Sequence, residues 1–350
     1  MKIANQNIGP GYPPYIIAEI GANHCGSVKT ACDMVIAAKE IGASCVKIQC
    51  YTADSICAKE ALGIEGGLWG GRDLYELYKQ AQTPPNMAKE IIQFAQKHKI
   101  TCFSSVFDFE GVDLMMKLGS PAIKIASFEL VDLPLIARAS QTGLPVIIST
   151  GMGTMEEIKD AVNCYHRHAK RGQEENLALL HCVSEYPASA REANLPILGP
   201  LSTILGGHHV VGLSDHTLGV GVAAASVALG AAIIEKHLVL DRSRGGVDAA
   251  FSSEPAEFSA MIKACREAYA ACLPFPVPQS SYRHLRKSLY TVETIPAGTV
   301  LSTANVRPLR PARGLSPKLY QSILGKVATR ELPAGTALQS DMFGDCDGTD

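Results

Sequence analysis

The sequence predicts an α/β protein, a (β/α)8 barrel (TIM barrel) followed by a small β-rich domain, and three observations lead to this prediction. Eight apolar runs of strand length alternate with eight segments of helical length up to Cys272. Both the alternation and the count are typical of the (β/α)8 barrel. A proline-rich segment, L-P-F-P-V-P-Q-S-S, then begins at Leu273 and indicates a domain boundary. We therefore predict a barrel over 1–272, a linker over 273–284, a second domain over 285–345 and a tail over 346–350.

Composition excludes several classes of protein. The 350 residues are 47% hydrophobic, which supports a large core and more than one domain. The 32 basic residues balance the 34 acidic residues and form no long run, so we expect neither nucleic acid nor an anionic membrane as a partner. No apolar stretch reads as a membrane span, and the N-terminus lacks a signal-peptide core. The 11 cysteines are scattered without a C-x-x-C pair, which fits a reduced, cytoplasmic protein.

The first half of the predicted barrel begins with a turn-rich segment, 1–14, which predicts a short hairpin or lid at the bottom of the fold. Lys47 and Lys124 lie inside apolar strands, and each needs an anionic partner because an unpaired buried ammonium group is costly. Strands are predicted at 15–20, 45–49, 101–105 and 122–127. Helices are predicted at 28–41, 86–98, 109–118 and 133–142.

The second half repeats the pattern. Strands are predicted at 146–150, 177–182, 210–213 and 232–234. Helices are predicted at 154–170, 194–205, 220–230 and 255–272. A doubly wound sheet is the alternative fold, but it normally needs fewer strands and an early G-x-G-x-x-G fingerprint. The early glycine segment here is G-A-N-H-C-G, which does not match, so we favour the barrel.

Residues 50–84 interrupt the alternation with a long insertion. It contains the only tryptophan of the chain, Trp69, within G-G-L-W-G-G-R-D-L-Y, and two tyrosines, Tyr75 and Tyr78. Loops of this length in compact domains usually serve function, so we predict that the insertion takes part in binding. The alternative is a surface excursion without a role.

Two histidines follow neighbouring predicted strands. The seventh strand continues into S-D-H and the eighth into E-K-H, which places His216 and His237 at the carboxyl ends of parallel strands, where the chemistry of such folds occurs. A divalent cation could take both imidazoles and leave positions open for substrate oxygen and water. Each histidine alone could be a satisfied polar residue at a strand end. The pair, with Asp215 and Glu235 beside it, favours a metal site.

The other strand ends also carry polar side chains that would meet at the mouth of the barrel. Two lysines and several hydroxyl groups suit a small phosphorylated carboxylate, because the ammonium groups neutralise its charge and the hydroxyls hold its oxygens. Alternatively, the lysines are the buried partners of Glu19 and Glu129, and both arrangements can hold together. The predicted mouth consists of Glu19, Asn23, His24, Lys47, Gln49, Ser104, Ser105, Lys124, Ser127, Glu129, Ser149, Thr150, His181, Ser184, Ser214, His216 and His237.

The predicted second domain contains two segments of similar sequence, which we call the echo segments. The segments 293–301 and 330–338 each read as a short strand, a P-A-G turn and another short strand, which implies a pseudo-symmetric module. A module this small is expected to dock on a barrel or on another subunit. Between the echoes, R-P-L-R-P-A-R-G carries Arg307, Arg310 and Arg313, which could reach into a neighbouring site or form a solvated basic loop.

Several of these motifs together resemble the sialic acid synthase family. The resemblance covers nearly the whole chain, and the second domain resembles the family's antifreeze-like (SAF) domain. The matching segments, in the family's order, include A-E-I-G-A-N-H-C-G, V-K-I-Q, K-I-A-S-F-E, I-I-S-T-G-M, G-L-S-D-H-T-L-G and I-I-E-K-H. Within the family, G-G-L-W-x-x-R-x-L-Y-x-L-Y and A-S-F-E-L-V-D-L-P-L-I most resemble the pseudaminic acid synthases.

The resemblance implies a transferase that condenses phosphoenolpyruvate with the open-chain aldehyde of an acetamido sugar and releases phosphate by C–O cleavage. For the pseudaminic acid branch, the sugar is 2,4-diacetamido-2,4,6-trideoxy-β-L-altropyranose. Synthesis of N-acetylneuraminate or legionaminate is the alternative reaction, and a carbohydrate-binding or structural barrel is the alternative without catalysis. The resemblance also implies a divalent metal (Mn2+, Mg2+ or Co2+) and a homodimer in which each antifreeze-like domain is swapped onto the barrel of the other subunit.

The resemblance further implies roles for individual residues. His216 and His237 match the metal ligands. Glu19, Glu129 and His216 match the catalytic residues, with Glu19 the first candidate for proton transfer. Arg310 matches the arginine that the antifreeze-like domain inserts into the partner's barrel. The other positions that match substrate contacts are Lys47, Gln49, Ser105, Lys124, Ser127, Ser149, Ser184, Tyr186, Ser214 and Asp248.

Overall fold

The structure, a computed structural model, describes residues 1–60, 63–206, 210–274 and 281–345. Contacts divide the chain into two units, Met1–Leu273 and Pro274–Asp350. Half of the predicted linker, 275–280, and the predicted tail, 346–350, lie outside the described residues. Among the helices that are described, none is both long and apolar enough to cross a membrane.

The first unit is a closed barrel of eight parallel strands, which confirms the predicted fold. Each strand pairs with its neighbours in sequence, and the eighth strand closes the ring by pairing with the first. The strands are β1 (Tyr15–Glu19), β2 (Cys45–Cys50), β3 (Cys102–Val106), β4 (Ile123–Ile125), β5 (Val146–Ser149), β6 (Leu177–Cys182), β7 (Val210–Asp215) and β8 (Ile233–His237).

One main helix follows each strand, because parallel neighbours need a crossover connection. Side-chain caps set several helix starts: Ser27 accepts a hydrogen bond from the N–H of Thr30 at 3.1 Å, and Thr154 and Glu157 form a capping box. The helices are α1 (Val28–Glu40), α2 (Pro85–Lys97), α3 (Phe109–Lys117), α4 (Leu133–Ser140), α5 (Met155–His168), α6 (Leu198–Ile204), α7 (Gly221–Ala228) and α8 (Pro255–Cys272).

Side chains alternate between the two faces of each barrel strand, and this alternation positions the site. In β1, Tyr15 and Ile17 belong to an inner cluster within the barrel, whereas Ile16 and Ala18 pack in the core that includes the helices. The next inward position of β1 is Glu19. Every second residue of the other strands also faces inward, so their last inward side chains form one ring at the carboxyl end of the barrel.

The amino-terminal segment forms the predicted hairpin. Its two short strands, Lys2–Ile3 and Gln6–Asn7, pair antiparallel. Ile3 and Ile8 join the inner cluster of the barrel together with Phe103. The hairpin therefore closes the end of the barrel opposite to the polar ring, as its apolar residues predict.

β7 and β8 are longer than the apolar runs predict. The runs end at 213 and 234, but the strands continue to Asp215 and His237. Lys236 pairs with Asp215 in the register of the two strands, so polar residues extend the ladder. Alternation turns Glu235 and His237 into the barrel and Lys236 toward the surrounding helices.

The insertion at 50–84 is not one long loop, and that expectation was wrong in part. It contains two short helices, Ala53–Ile56 and Leu74–Ala81. Apolar residues recur at helical spacing in the second helix, and Asp73 caps it by accepting from the N–H of Glu76 at 2.8 Å. A glycine-rich turn that includes Trp69 precedes this helix.

The second unit is built from short antiparallel pairs. Ser288–Thr291 pairs with Val306–Leu309, and Val327–Ala328 pairs with Phe343–Gly344. The echo segments do not form the predicted strand pairs, but they meet each other: Ile295 and Leu332 exchange two backbone hydrogen bonds of 2.8 Å. The unit has its own core, formed by Leu289, Ile295, Leu301, Val306, Ile323, Ala328, Leu332 and Leu338.

Candidate active site

A cavity of about 510 Å³ lies at the carboxyl end of the barrel, between the polar ring and the insertion. Phosphate-sized and sugar-sized ligands fit cavities of this volume. Of the residues assigned to the site from the sequence, those that line the cavity are Lys47, Gln49, Lys124, Ser127, Glu129, Ser149, Tyr186, Ser214, His216, His237 and Asp248.

Four other assigned residues do not line this cavity. Glu19 and Ser105 are buried behind Lys47, which contacts both. Ser184 has a buried hydroxyl oxygen without a hydrogen-bond partner in the described chain. Arg310 belongs to the second unit. Ser104 and His181 were expected at the mouth, but alternation puts them on the outer faces of β3 and β6, where backbone groups bond their side chains.

Lys47 is fully compensated by carboxylates. Its Nζ lies 2.7 Å from Oε2 of Glu19 and 3.1 Å from Oε1 of Glu235, and it donates to Oγ of Ser105 at 3.0 Å. Although burial lowers the pKa of Lys47, the two carboxylates outweigh it and the pKa is raised. Lys47 therefore stays charged, and its anionic partner is supplied by the protein.

Glu19 has no free oxygen to offer a substrate. Its Oε1 accepts from the N–H of Gly21 at 2.7 Å and from Nε2 of Gln49 at 3.2 Å, while Oε2 meets Lys47. Burial, opposed by Lys47, raises the pKa of Glu19 to about 7. The side chain is 0% exposed, so its contacts are those of a residue that orients Lys47 and Gln49.

Lys124 has no such compensation. Its Nζ donates to Oγ of Ser149 at 2.6 Å and to the carbonyl oxygen of Ile125 at 2.8 Å, but no carboxylate of the described chain lies within salt-bridge distance. The lysine is 1% exposed, and burial lowers its pKa to about 8. A buried ammonium group with only neutral partners leaves room for an external anion.

Neutral hydrogen-bonding groups surround the space beside Lys124. Ser127 accepts from the N–H of Gly151 at 3.1 Å, and Ser149 and the unpartnered Ser184 lie at neighbouring strand ends. A side chain at Gly151 would displace both hydroxyls, because its Cβ would lie 2.3 Å from Oγ of Ser184 and 2.8 Å from Oγ of Ser127. The backbone thus comes close to two hydroxyls, which is the arrangement expected for holding anionic oxygens.

His216 and His237 face each other across the cavity, with ring centroids 5.6 Å apart. Nδ1 of His216 lies 2.8 Å from the carbonyl oxygen of Val183 and donates to it in the tautomer that leaves Nε2 as a free acceptor. Nδ1 of His237 is buried without a hydrogen-bond partner in the described chain. Burial holds the pKa of His237 well below its usual value, so this imidazole is neutral.

These two imidazoles fit a divalent cation, because each offers an uncommitted nitrogen. No group of three or more His, Cys, Asp or Glu side chains is arranged around an ion in the described part of the chain, so further ligands would come from water or substrate. Asp215 does not join the pair, contrary to the expectation that it supports a metal. Its carboxylate bonds Lys236 at 2.7 Å and the hydroxyl of Thr217 at 2.7 Å, on the outer face of β7.

Asp248 supports His237 rather than lying free beside a sugar. Its Oδ2 accepts from the N–H of Ala22 at 2.8 Å and lies 3.5 Å from Nδ1 of His237. Burial raises the pKa of Asp248 to about 6. Gly21 has a φ of +52° and makes this contact possible, because a Cβ there would lie 2.3 Å from Oδ2 of Asp248.

Glu129 is one of two cavity-lining carboxylates, with Glu235, that have a buried oxygen without a hydrogen-bond partner in the described chain. Its Oε2 is buried and has no hydrogen-bond partner in the described chain. Burial, opposed by the charge of Lys124, raises the pKa of Glu129 to about 7. A carboxyl group that titrates near neutrality can both accept and donate a proton, as general acid–base catalysis requires.

An aromatic wall, formed by Trp69, Tyr186 and Phe251, closes one side of the cavity. Trp69 lies 5.1 Å from Tyr186 and 6.2 Å from Phe251 between ring centroids, and Tyr186 lies 4.8 Å from Phe251. Nε1 of Trp69 donates to the carbonyl oxygen of Val247 at 3.1 Å, which ties the insertion to the loop after β8. The wall gives the site an apolar side opposite its charged floor.

Sequence reasoning placed Glu235 only beside the expected metal and assigned no role to Phe251, although both line the cavity. Glu235 bonds Lys47 and accepts from Oγ of Ser214 at 3.3 Å. The signal for Glu235 was available, since residues two apart on a strand share a face and His237 was already assigned. Phe251 follows the last strand in an irregular segment, where no periodicity indicates which way a side chain points.

The chain matches two family models, the NeuB family over residues 34–273 and the SAF domain over residues 286–344. It is 39% identical over 350 residues to a pseudaminic acid synthase from Campylobacter jejuni, covering 98% of this chain and 100% of that protein. An N,N'-diacetyllegionaminic acid synthase of the same species is 34% identical over 323 residues, covering 90% and 96%. A solved N-acetylneuraminic acid synthetase from Leptospira borgpetersenii, in complex with citrate, aligns with a TM-score of 0.70 at 29% identity over 81% of this chain and 93% of that chain.

Proposed function

Because the chain belongs to the NeuB family, we propose that it catalyses the condensation of phosphoenolpyruvate with the open-chain aldehyde of 2,4-diacetamido-2,4,6-trideoxy-β-L-altropyranose. The products are pseudaminic acid and inorganic phosphate. The near-complete coverage of a pseudaminic acid synthase supports this reaction. A binding role without catalysis would leave the uncompensated Lys124 and the unpartnered carboxylate of Glu129 without a purpose.

The observation that carries the proposal is the uncompensated ammonium of Lys124 next to a set of neutral donors. Phosphoenolpyruvate would supply the missing anion, with its charged oxygens held by Lys124 and by the hydroxyls of Ser127, Ser149 and Ser184. The charge of Lys47 is already balanced by Glu19 and Glu235, so Lys47 would orient the substrate rather than neutralise it. Holding both substrates in one closed cavity removes much of the entropic barrier to their reaction.

The bond changes follow from the reaction. The enol electron pair of phosphoenolpyruvate forms a bond from C3 to the aldehyde carbon, water adds to C2, and the C2–O bond to phosphate breaks. A divalent cation held by His216 and His237 would polarise the aldehyde oxygen as a Lewis acid. The proton lost by water goes to the new hydroxyl group, and the hydroxyl proton of the tetrahedral intermediate leaves with phosphate.

Glu129 is the better candidate than Glu19 for moving these protons. The sequence ranks Glu19 first, but both of its oxygens are occupied by Lys47, Gln49 and a backbone N–H. Glu129 lines the cavity with a free oxygen and a pKa of about 7. Glu19 would then act by holding Lys47 in place.

The insertion supports a 6-deoxy sugar over one with a hydroxyl at that carbon. Besides the aromatic wall, its apolar side chains Ile56, Ile64, Leu74 and Leu77 line the cavity. A methyl group of a trideoxy sugar is stabilised by such a surface, whereas a hydroxyl group would lose hydrogen bonds there. This favours a diacetamido-trideoxy sugar over N-acetylmannosamine. Between the pseudaminate and legionaminate precursors, the higher identity to a pseudaminic acid synthase decides the proposal.

We further propose a homodimer in which the second unit of one subunit completes the barrel of the other. Exposed apolar side chains follow four strands: Phe109 after β3, Phe128 after β4, Met152 after β5 and Leu218 after β7, with exposed fractions of 49%, 58%, 61% and 60%. These connections all lie at the same end of a parallel barrel, so the side chains form an apolar rim around the mouth. A second copy of the chain, bringing Arg310 to the site, would cover this rim.

Two finer points are also proposals. Manganese, magnesium or cobalt would serve as the cation: two imidazoles with open positions suit the two transition metals, and magnesium would take most of its ligands from water and substrate oxygens. A cytoplasmic location fits the thiols, because every cysteine that the structure describes is free.

The experiment that tests the function is phosphate release from phosphoenolpyruvate with three sugars in parallel. These are N-acetylmannosamine and the diacetamido-trideoxy precursors of pseudaminate and legionaminate, each with and without Mn2+, Mg2+ or Co2+. We expect turnover only with the altrose-configured precursor, and only with a cation. Turnover with another sugar would keep the chemistry and reject the specificity, and no release with any sugar would reject the enzyme assignment.

A further inference from the structure

The chain turns sharply at 310–314 in the second unit, and one buried hydroxyl group holds this turn. Ser288 lies on the first strand of the unit and is 1% exposed. Its Oγ donates to the carbonyl oxygen of Pro311 at 2.9 Å and accepts from the N–H groups of Arg313 at 3.1 Å and Gly314 at 3.0 Å. A hydroxyl has one donor and two acceptor sites, so this turn uses the whole capacity of Ser288.

Other contacts fix the same turn. The hydroxyl of Tyr290 donates to the carbonyl oxygen of Pro311 at 2.8 Å. Gly314 passes so close to the backbone of Leu338 that a Cβ would lie 2.7 Å from its carbonyl oxygen. The backbone of the turn is therefore held from more than one side.

Arg310 begins this turn and presents a free charge. Its side chain is exposed, and it forms no ion pair with any residue that the structure describes. An arginine on a fixed backbone loses only side-chain freedom when it binds an anion, whereas a mobile loop must also be ordered. We propose that Ser288 is a positioning residue, which fixes the 310–314 turn so that Arg310 is ready to complete the barrel site of a second subunit. This inference rests on the proposed function, in which Arg310 acts at that site.

Thr291 offers a matched control on the same strand. It is also 1% exposed, and its Oγ1 donates to the carbonyl oxygen of Pro333 at 2.7 Å and accepts from the N–H of Thr336 at 2.9 Å. Thr291 thus holds a turn in the same way as Ser288, but the turn that it holds, P-A-G-T, carries no arginine. Loss of its hydroxyl should affect the stability of the unit and leave catalysis unchanged.

The test is a double-mutant cycle in the full-length protein, with kcat and KM measured for both substrates. We expect Arg310→Ala to lower kcat/KM on the order of 100-fold, as loss of a charge-assisted contact does. Ser288→Ala should lower kcat/KM about tenfold, because the turn loses its anchor. The loss should appear in whichever of kcat and KM is changed by Arg310→Ala. In the Arg310→Ala background, Ser288→Ala should have no further effect, since it acts only through the arginine.

Thr291→Val should lose about as much thermal stability as Ser288→Ala but keep wild-type kcat/KM. If Ser288→Ala does not fold, Tyr290→Phe replaces it, with a loss of about threefold that also disappears beside Arg310→Ala. Multiplicative effects of the two changes, or equal losses from Ser288→Ala and Thr291→Val, would show that Ser288 is only structural. Wild-type kcat/KM in Arg310→Ala would instead reject the role of the arginine itself, and the inference with it, so the two failures are told apart.

Discussion

Lys47 and Lys124 occupy similar inward positions on two strands of one barrel, yet their surroundings differ. Lys47 lies between two carboxylates, and Lys124 has only a hydroxyl group and a carbonyl oxygen. The negative charges that oppose the effect of burial are therefore in direct contact with Lys47, but they act on Lys124 only from a distance and do not outweigh its burial. Their pKa values accordingly move in opposite directions.

This contrast predicts opposite effects of the same substitution on stability. Burial lowers the pKa of Lys124 from 10.5 to about 8, so keeping its buried ammonium group charged at pH 7 costs stability. Lys124→Met removes this cost and should raise the free energy of unfolding by up to about 3 kcal/mol. Lys47→Met leaves two buried carboxylates unpaired and should lower it by about 3–5 kcal/mol. Both variants should lose turnover. Urea denaturation with a fluorescence readout measures the difference.

The pH dependence of the same experiment has a definite sign. Unfolded, Lys124 keeps its proton up to about pH 10.5, and folded it loses the proton near pH 8. The unfolded state therefore binds more protons between these values, and wild-type stability should rise with pH across this window. The advantage of Lys124→Met should shrink over the same range. A destabilised Lys124→Met protein at pH 7 would mean that an anionic partner of Lys124 has been overlooked.

Sequence could predict that both lysines lie inside strands and need anions, but not which one the protein itself satisfies. Glu19, one of the two expected partners, does pair with Lys47, but the second carboxylate, Glu235, reaches Lys47 from a strand almost 190 residues away in the chain (47 to 235). Glu129 follows Lys124 closely in sequence and was the expected partner, yet its carboxylate forms no salt bridge with that lysine in the described structure. Proximity along the chain was a poor guide because a short turn after β4 separates the two side chains.

At the scale of elements, a buried ion pair joins β7 and β8 behind the two histidines. Lys236 lies 2.7 Å from Oδ2 of Asp215, and both side chains are 1% exposed. Asp215 also accepts from the N–H and the hydroxyl of Thr217, so its oxygens are satisfied. The pair fixes the ends of the strands that carry His216 and His237.

Breaking this pair should be costly. Asp215→Asn leaves the buried ammonium of Lys236 without its counter-charge, and we expect a loss of about 3–5 kcal/mol in the free energy of unfolding. Asp33→Asn is the matched control, because its pair with Lys29 spans one turn of α1 at 85% and 51% side-chain exposure and should contribute less than about 0.5 kcal/mol. Thermal and urea unfolding of both variants would measure these losses. Equally small losses in the two variants would mean that the Asp215–Lys236 pair does not stabilise the barrel.

Elements with strong periodicity were predictable, and those that depend on tertiary contacts were not. The apolar runs of the barrel strands and the caps at Ser27 and Thr154 mark the elements in the sequence. β7 and β8 extend beyond their apolar runs because the neighbouring strands complete their hydrogen bonds. In the second unit, strands of two to four residues are too short for any periodicity to locate.

At the scale of the whole molecule, the proposed exchange of second units makes each active site the product of two chains. Lys124 would come from one subunit and Arg310 from the other. Two inactive variants with defects in different halves of the site should then restore each other, because one barrel of a mixed dimer receives both intact residues.

Complementation measures this directly. Lys124→Met and Arg310→Ala are each expected to be nearly inactive, and an equal mixture that exchanges subunits should recover about a quarter of wild-type activity, since half of the dimers are mixed and each has one complete site. Mixing Lys124→Met with Ser149→Ala is the control, as both changes lie in the same barrel and should not complement. No recovery in the first mixture would mean that Arg310 serves its own barrel or none.

The closed ring of the barrel has a consequence for how the protein behaves at high concentration. Each of its eight strands is paired on both sides, so none offers an open backbone edge to which another chain could add a strand. The strands with a free edge that the structure describes are two to four residues long, too short to template a growing sheet. Aggregation of the folded protein, where it occurs, should therefore not proceed by strand addition and should yield amorphous rather than fibrillar material.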